Sequence, residues 1–365
     1  MKSWSLRVGK FFGIEVFIHW TFWILIGWIF LMHLGMEDGA KQAVWGVLFI
    51  LALFGCVVLH EFGHALTARR FGVVTKDITL YPIGGISRFE SLPEKPGQEL
   101  LVGIAGPAVN LLISLILWIC LRVAGQEIPD FGAIGSSHNM FQIPFLWSLF
   151  LANLVLAVFN LIPAFPMDGG RVLRSFLSLF MDRLYATTIA ARLGQLLAIS
   201  FVFFGFFYNF WIVFIGLFIY LGAGGEAAFE QAKSALAGLT VKDALMRRFT
   251  VLKPETTLKQ AVDALLNSQE TEFVVVNEDK PVGLLTRTEI IVGLSKHGEN
   301  APVSQCMITD FLVVNAEMKL ADFFQLVLEK GQTVALVMSD NSFQGLIDKD
   351  NVEEKMLVQQ ALRGA

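Results

Sequence analysis

Long apolar stretches constrain the fold of this chain more than any other feature, because about 20 apolar residues in a row suffice to cross a membrane as a helix. The chain has 365 residues, of which only 16% are charged, whereas about 25% are charged in an average soluble domain. Its mean hydropathy is +0.60. These values predict a membrane α-helical bundle of about six transmembrane helices. The predicted spans are residues 14–34, 43–67, 99–122, 143–166, 186–206 and 208–223.

The last two predicted spans are the least distinct. Residues 196–223 are almost continuously apolar, and Tyr208 and Asn209 are their polar interruption. One long tilted helix would give five spans, whereas a hairpin that turns near Tyr208 and Asn209 gives six. Basic residues favour six, because they concentrate in the loops after spans two and four, which the positive-inside rule places in the cytoplasm. A multi-pass protein of the cell membrane with six spans would have its N-terminus and its C-terminal domain in the cytoplasm.

The sequence changes character after the last span. Gly222, Gly224 and Gly225 predict a break, and the residues after them predict an amphipathic linker helix. The remainder predicts a soluble α/β domain with a weak internal repeat, in which each copy has a helix followed by two β runs. The formal net charge of −4 argues against nucleic acid as a partner. The predicted parts are a membrane domain over 1–225, a linker helix over 226–239 and a soluble domain over 240–365, with repeats at about 240–297 and 301–356.

The pentad His60-Glu61-Phe62-Gly63-His64 closes the second apolar run. Histidines four residues apart lie one above the other on a helix face, so His60 and His64 can bind one metal ion. Glu61 lies between them and can reach a metal-bound water. This arrangement is typical of zinc hydrolases, and here it is predicted to lie in a membrane. The three cysteines are isolated in the sequence and offer no cysteine-type zinc spacing.

A third candidate ligand follows the fourth span. A catalytic zinc site usually has three protein ligands and one open position. Spans two and four cross the membrane in the same direction, so Asp168 reaches a depth similar to that of His60 and His64. Two prolines would break the helix before it. We expect Asp168 to be the third ligand of one Zn²⁺ per chain and Glu61 to be the general base. The alternative for Asp168 is an N-cap of the helix that follows it.

Three motifs follow one another along the chain, at residues 60–64, at 105–110, and at 160–163 leading to 166–170. In this order they resemble the motifs of the site-2 protease family of intramembrane zinc metalloproteases. The resemblance implies cleavage of transmembrane segments of other membrane proteins. It implies the same three zinc ligands and the same catalyst, Glu61. It also suggests that Asn110 orients the substrate or holds the oxyanion, and the alternative for Asn110 is a hydrogen bond between packed helices.

The residues after 240 resemble a tandem pair of cystathionine-β-synthase (CBS) domains. Such pairs commonly bind adenosine nucleotides between the repeats, through a Gly, two apolar residues, a Thr or Ser, and an Asp three residues later. The first copy has Gly283, Thr286 and Glu289 at these positions, with Glu in place of Asp, and the second copy departs at both polar positions. The resemblance implies Thr286 and Glu289 as candidates for binding a nucleotide. The alternative role is homodimerisation, which would bring two membrane domains together.

Residues 73–90 directly follow the pentad helix and predict a small membrane-associated β region. Apolar and polar residues alternate in the first half, residues 82–85 predict a turn, and residues 86–89 predict a returning strand. The edge of this hairpin can pair with an unwound substrate by β-augmentation. The alternative is an ordinary cytoplasmic hairpin.

The leading hypothesis is an active intramembrane zinc protease with a CBS pair that regulates or dimerises it. Its partners would be a membrane protein with a transmembrane segment, the lipid bilayer and a second copy of the chain. One competing hypothesis is a channel or transporter with CBS domains, and the sequence offers no evident ion path for it. The other is an inactive scaffold, which is disfavoured because every candidate ligand position is filled.

Overall fold

The computed structural model describes residues 4–34, 39–89, 93, 95–126, 144–268, 270–278, 280–339 and 342–363. The chain divides into two units, Met1–Ala228 and Phe229–Ala365. Each unit contains its own clusters of buried apolar side chains.

Apolar helices dominate the first unit. Within the described residues, four helices are long and apolar enough to cross a membrane, and two shorter ones of 14 and 16 residues are also apolar. The helices are α1 (Thr21–Leu34), α2 (Gly39–Arg69), α3 (Pro96–Val123), α4 (Phe145–Asn160), α5 (Asp168–Leu177), α6 (Arg183–Tyr208) and α7 (Phe210–Ala235). The predicted membrane helix bundle is confirmed, because each of the apolar helices overlaps a predicted span. Helix α5 is short and polar and lies outside the predicted spans.

The hairpin predicted near Tyr208 and Asn209 is confirmed, and the single long helix is wrong. Helix α6 ends at Tyr208, Asn209 is extended with φ −161° and ψ 115°, and α7 begins one residue later. The Asn209 side chain accepts a hydrogen bond from the Trp211 backbone N–H at 3.0 Å. The two helices then pack closely at Gly205, since a Cβ there would lie 2.7 Å from the Val213 nitrogen.

A four-stranded sheet packs on helix α2. Its strands are β1 (Ser5–Phe11), β2 (Ile14–His19), β3 (Thr75–Tyr81) and β4 (Gly84–Phe89), in the order β1-β2-β3-β4. Strands β2 and β3 are parallel, and the two outer pairs are antiparallel. The β region predicted over 73–90 is present as β3 and β4. The fully buried Ile78 of β3 forms one cluster with Phe62 and Ala65 of α2.

The prediction that the first membrane span begins at residue 14 is wrong, because residues 14–19 form strand β2. Ile14 and Val16 are buried at alternate positions, which is the period of a strand. Phe12 and Gly13 have φ values of 51° and 88° and turn the chain between β1 and β2. Apolar content does not separate such a strand from the helix that follows it.

The predicted break at Gly222–Gly225 and the separate linker helix over 226–239 are also wrong. Helix α7 runs without interruption from Phe210 to Ala235. A glycine inside a helix costs only about 1 kcal/mol relative to alanine, so a packed helix tolerates several. Gly222 has a packing reason as well, because a Cβ there would lie 2.7 Å from Pro166 Cδ.

The second unit repeats one arrangement of strands and helices, as the sequence predicts. Each copy has a strand, a helix, two further strands and a helix, with the first two strands parallel and the last two antiparallel. The first copy is β5 (Val251–Leu252), α8 (Leu258–Asn267), β6 (Glu272–Asn277), β7 (Lys280–Thr286) and α9 (Arg287–His297). The second is β8 (Leu312–Asn315), α10 (Leu320–Lys330), β9 (Val334–Ser339), β10 (Ser342–Asp348) and α11 (Lys349–Arg363).

The two copies pack on each other through the faces of their sheets. Val274 and Leu284 of the first copy form a buried cluster with Leu336 and Leu346 of the second. The segment before β5 also pairs with β10 of the second copy, where the backbones of Met246 and Leu346 exchange hydrogen bonds of 2.8 and 3.2 Å. The repeat is therefore one packed pair rather than two separate modules.

Candidate functional site

Three side chains converge where helix α2 meets the start of helix α5. His60 and His64 are both buried on α2, and Asp168 is the first residue of α5. The two imidazole Nε2 atoms lie 3.1 Å apart. Asp168 Oδ2 lies 3.2 Å from His60 Nε2 and 3.0 Å from His64 Nε2. The structure thus brings together the three residues that the sequence proposes as metal ligands.

The backbone of helix α3 determines the orientation of one imidazole. His64 Nδ1 lies 2.7 Å from the carbonyl oxygen of Val102, which can only accept a hydrogen bond. We therefore assign the proton to Nδ1, which leaves the Nε2 lone pair directed at Asp168 and His60. A metal-binding histidine typically has this arrangement, because the second hydrogen bond fixes the tautomer and the plane of the ring.

The donor set fits a zinc ion. Ligands at about 2.0–2.2 Å from a tetrahedral zinc lie about 3.3–3.6 Å from one another. The three observed separations, 3.0–3.2 Å, are only slightly shorter. Two imidazoles and a carboxylate also make up a ligand set that catalytic zinc sites use, with a fourth position for water. Within the described residues, these three form the one group of histidine, cysteine and carboxylate side chains close enough to hold a metal.

Two glycines make the convergence possible. Gly106 of α3 lies directly beneath the imidazoles, and a Cβ there would overlap His64 Nε2 and lie 2.7 Å from His60 Cε1. Gly63 of α2 faces the same helix, where a Cβ would lie 2.8 Å from the carbonyl oxygen of Ala105. Helices α2 and α3 can therefore approach each other closely, and the imidazoles occupy the space that a side chain at 106 would fill.

A short irregular segment between α4 and α5 positions Asp168 beside the two imidazoles. Helix α4 ends at Asn160 and α5 begins at Asp168, with Pro163 and Pro166 between them, as the sequence predicts. The N-cap of α5 is Met167, and its side chain makes no capping hydrogen bond. The Asp168 carboxylate contacts the two imidazoles and does not cap the helix. The capping role considered for Asp168 therefore finds no support in this geometry.

Glu61 lies beside the three converging residues and against strand β4. Ser87 of β4 donates a hydrogen bond from Oγ to Glu61 Oε2 at 2.5 Å. Gly85 of β4 leaves space for the Glu61 side chain, because a Cβ there would lie 2.8 Å from Glu61 Cγ. The sequence singles out Glu61 through the pentad but gives no sign of Ser87, since only the register of β4 brings the two together.

Asn110 is the candidate whose position is least informative. It is 1% exposed and lies one helical turn beyond Gly106 on α3. Its Oδ1 atom is buried and accepts no hydrogen bond from a described residue. No hydrogen bond joins it to the imidazoles or to Asp168 within the described residues. Its burial is compatible with both roles that the sequence allows.

A buried ionic network surrounds helix α5, and the sequence reasoning missed it. Arg174 of α5 is fully buried, with its guanidinium bonded to Glu99 of α3 and, at 2.7 Å, to Glu226 of α7. Arg183 of α6 also contacts Glu99, at 2.5 Å. The signal was available, because charged residues near membrane spans are costly unless they are paired or functional. The network ties α5, and with it Asp168, to three neighbouring helices.

The second unit places its two candidate residues together. Thr286 ends β7, Glu289 lies in the first turn of α9, and the Thr286 hydroxyl donates to the Glu289 carboxylate. A separate carboxyl pair joins the two copies, because Glu272 of β6 contacts Asp348 of β10. Burial, with the neighbouring charge of Asp348, raises the pKa of Glu272 to about 7. Burial also raises the pKa of Asp348.

Comparison with known proteins identifies the family. The profile of peptidase family M50 matches residues 48–142 and 127–201, and the CBS domain profile matches residues 241–296. A zinc metalloprotease of Methanocaldococcus jannaschii is 35% identical over 284 residues, which are 78% of each protein. The solved structure of a site-2 protease from the same organism is 39% identical, has a TM-score of 0.45, and covers 61% of this chain and 95% of that chain.

The match to the metalloprotease extends over most of both proteins, and the part of the chain that the family profile matches includes the pentad. It removes the grounds for the channel and scaffold hypotheses, because the relatives are zinc metalloproteases. The helices described above make the protein multi-pass. The chain belongs to peptidase family M50, the site-2 proteases, and is a membrane-embedded zinc metalloendopeptidase that carries a CBS module.

Proposed function

We propose that this enzyme hydrolyses peptide bonds within transmembrane segments of other membrane proteins, in the manner of regulated intramembrane proteolysis. The observation that carries the proposal is the convergence of His60, His64 and Asp168, whose ligand atoms lie within 4.8 Å of one another beside Glu61. The membrane helices around this site support a substrate that itself lies in the bilayer. In this proposal, the three converging residues hold one Zn²⁺ per chain.

Each candidate ligand has a defined part in holding zinc. The Nε2 atoms of His60 and His64 and one carboxylate oxygen of Asp168 would occupy three positions, which leaves the fourth open. Val102 would keep the His64 ring in place through its carbonyl oxygen. When bound, zinc supplies the Lewis acidity that makes a water nucleophilic at neutral pH and polarises the peptide carbonyl.

Glu61 is the general base in this proposal. Its carboxylate accepts a proton from the attacking water as the C–O bond forms at the peptide carbonyl, and it returns that proton to the amine as the C–N bond breaks. Its position next to His60 on α2 supports this role, because a general base must lie within hydrogen-bonding reach of the water. Asn110 would support the reaction by orienting the substrate or the oxyanion with its carboxamide, and its unpaired buried Oδ1 is what supports its inclusion.

Strand β4 is the proposed docking edge for the substrate. It is the last strand of its sheet and, in the described part of the chain, pairs with β3 alone. A substrate strand that paired with the other edge would lie about 4.8 Å away. It would then run past Glu61, which contacts β4 through Ser87. Such pairing would also satisfy the backbone groups of a helix that must unwind before it can be cut.

The CBS pair is the proposed regulatory or dimerisation module, on the cytoplasmic side with the N-terminus. Thr286 and Glu289 are the residues proposed to bind an adenosine nucleotide, because their polar groups meet at the end of β7. Calorimetric titration of the full chain with AMP tests this role. We expect Thr286→Val to weaken binding at least about tenfold, and equal binding by both proteins would contradict it. A second copy of the chain is the proposed partner, and nucleic acid is not.

Cleavage by the purified enzyme in detergent tests the proposal. The substrate is a designed transmembrane segment that contains helix-breaking residues. We expect Glu61→Gln to lower the cleavage rate by about 10²–10⁴-fold, the usual contribution of general acid–base catalysis, while zinc content stays at about one per chain. Glu299→Gln, at an exposed glutamate of the second unit, is the matched control and should cleave normally. Undiminished cleavage by Glu61→Gln would refute the mechanism.

A further inference from the structure

The register of the sheet brings two small side chains of β4 to the catalytic helix. Ser87 pairs with Ile78 of β3, and Gly85 pairs with Leu80. Ile78 and Leu80 are both buried, in clusters that include side chains of α2. Residues paired across two strands lie on the same face of the sheet. Ser87 and Gly85 therefore face α2 as well, and their small size leaves space between the strand and the helix.

The Glu61 side chain occupies this space. Gly85 limits it on one side, since a Cβ there would lie 2.8 Å from Glu61 Cγ and 3.3 Å from Cδ. Ser87 binds one oxygen of the carboxylate, Oε2, through a hydroxyl donor at 2.5 Å. In the part of the chain that the structure describes, no other side chain donates to this carboxylate. The second oxygen, Oε1, thus remains available for a water.

We propose that Ser87 is a positioning residue for catalysis, whose hydroxyl holds the Glu61 carboxylate against β4 so that Oε1 faces the attacking water. This inference rests on the proposed role of Glu61 as the general base. The Ser87 proton stays on Ser87 throughout, because the transferred proton passes from the water to Glu61 and then to the leaving amine. Ser87 therefore acts through Glu61 and touches neither the zinc nor the scissile bond.

A link between substrate docking and catalysis follows from this assignment. Strand β4 carries the proposed docking edge through its backbone and carries Ser87 on the face toward α2. A shift of β4 would move the Glu61 carboxylate with it. Removing the hydroxyl should leave the backbone edge intact, so substrate binding should change little while the chemical step slows. This separation of kcat from KM distinguishes positioning from a purely structural role.

Steady-state kinetics of Glu61→Gln and of three serine variants test the inference, with the designed transmembrane segment as substrate. We expect Ser87→Ala to lower kcat by about 10–100-fold, with KM within about twofold and zinc still at about one per chain. Ser87→Thr keeps a hydroxyl and should retain kcat within about threefold. Ser200→Ala is the matched control, because its exposed hydroxyl donates to Leu196 O of its own helix, and it should behave as wild type.

The outcomes separate this inference from the proposed function. If Glu61→Gln is inactive but Ser87→Ala has normal kcat, the positioning role is wrong and the proposed function stands. If Glu61→Gln remains active, the proposed function fails, whatever Ser87→Ala does. A rise in KM alone, or equal losses in Ser87→Ala and Ser87→Thr, would also overturn the positioning role. If Ser87→Ala does not fold, Ser87→Cys replaces it, because a thiol of similar size is a weak donor and should also lower kcat.

Discussion

The carboxyl groups inside the two units of this chain have opposite kinds of partner. In the first unit, Glu99 is 2% exposed and pairs with the guanidinium groups of Arg174 and Arg183. Asp168 likewise meets two imidazoles. In the second unit, Glu272 meets another carboxyl group, that of Asp348. Complementary partners favour one fixed arrangement, whereas two carboxyl groups in contact favour binding a proton. The comparison leads us to expect constant geometry in the membrane unit and a stability that depends on pH in the second unit.

The largest expected effect comes from filling the space that the imidazoles of His60 and His64 occupy. Gly106→Ala places a Cβ against His64 Nε2 and His60 Cε1, so the two imidazoles can no longer converge with Asp168. We expect zinc affinity to fall at least about 100-fold, since changes around the ligands alone already cost about 10–100-fold. Metal analysis after dialysis against graded chelator concentrations measures this effect.

Gly55→Ala is the matched control for that change. It lies on α2, the helix of both histidines, and within the described residues no heavy atom other than the nearby backbone of α2 comes within 4 Å of the position that its Cβ would take. An alanine there should leave zinc binding unchanged and stabilise the helix by up to about 1 kcal/mol. Zinc binding by Gly106→Ala equal to that of Gly55→Ala would show that the packing argument is wrong.

The next effect comes from breaking the ionic network of the first unit. Arg174→Met leaves Glu99 with Arg183 as its remaining cationic partner and removes the contact of Glu226. Removing one partner of a buried ion pair costs about 3–5 kcal/mol. We expect the free energy of unfolding of the membrane unit to fall by about 3 kcal/mol in detergent titrations. Arg192→Met, at an exposed position of α6, should change it by less than about 0.5 kcal/mol, and similar losses in both variants would contradict the account.

The smallest expected effect is a dependence of the second unit's stability on pH. The pKa of Glu272 rises on folding from 4.5 to about 7, so the folded state binds a proton more tightly than the unfolded state. Its contribution to stability is therefore full below about pH 4.5 and is lost as the pH rises through about 7. We expect the melting temperature of the second unit to fall by a few degrees between about pH 5 and pH 8.

Glu272→Gln should remove most of this pH dependence, because the amide cannot titrate and still donates to Asp348. Glu299→Gln changes an exposed glutamate and should retain the pH dependence of the wild type. Melting curves of the full chain across this pH range compare the three proteins. A Glu272→Gln protein with the slope of the wild type would mean that the carboxyl pair does not control the response.

The prediction from sequence succeeded where topology decided the outcome. The direction of the spans predicts that Asp168 reaches the depth of His60 and His64, and the structure brings their ligand atoms within 4.8 Å. The repeat after residue 240 likewise predicts two equivalent copies, because period and order are properties of the sequence itself. Membership of the site-2 protease family is confirmed by the family profile and by the matched metalloprotease.

The prediction failed where packing decided the outcome. Strand β2 is as apolar as the helix after it, and only pairing with β1 and β3 makes it a strand. Helix α7 continues through Gly222 because the glycine packs against Pro166. Ser87 is an unremarkable serine until the register of β4 places it at Glu61. Arg174 and Glu99 are 75 residues apart in the sequence, so no local pattern pairs them.

The most direct test of the central claim is zinc K-edge X-ray absorption on the purified enzyme, with metal content measured on the same sample. The account predicts about one zinc per chain, with two imidazole nitrogens and one carboxylate oxygen at about 2.0–2.2 Å and one further oxygen. In Asp168→Asn, the carboxylate contribution should disappear and the zinc content should fall. A chain without zinc, or a zinc site whose spectrum Asp168→Asn leaves unchanged, would contradict the assignment of His60, His64 and Asp168 as its ligands.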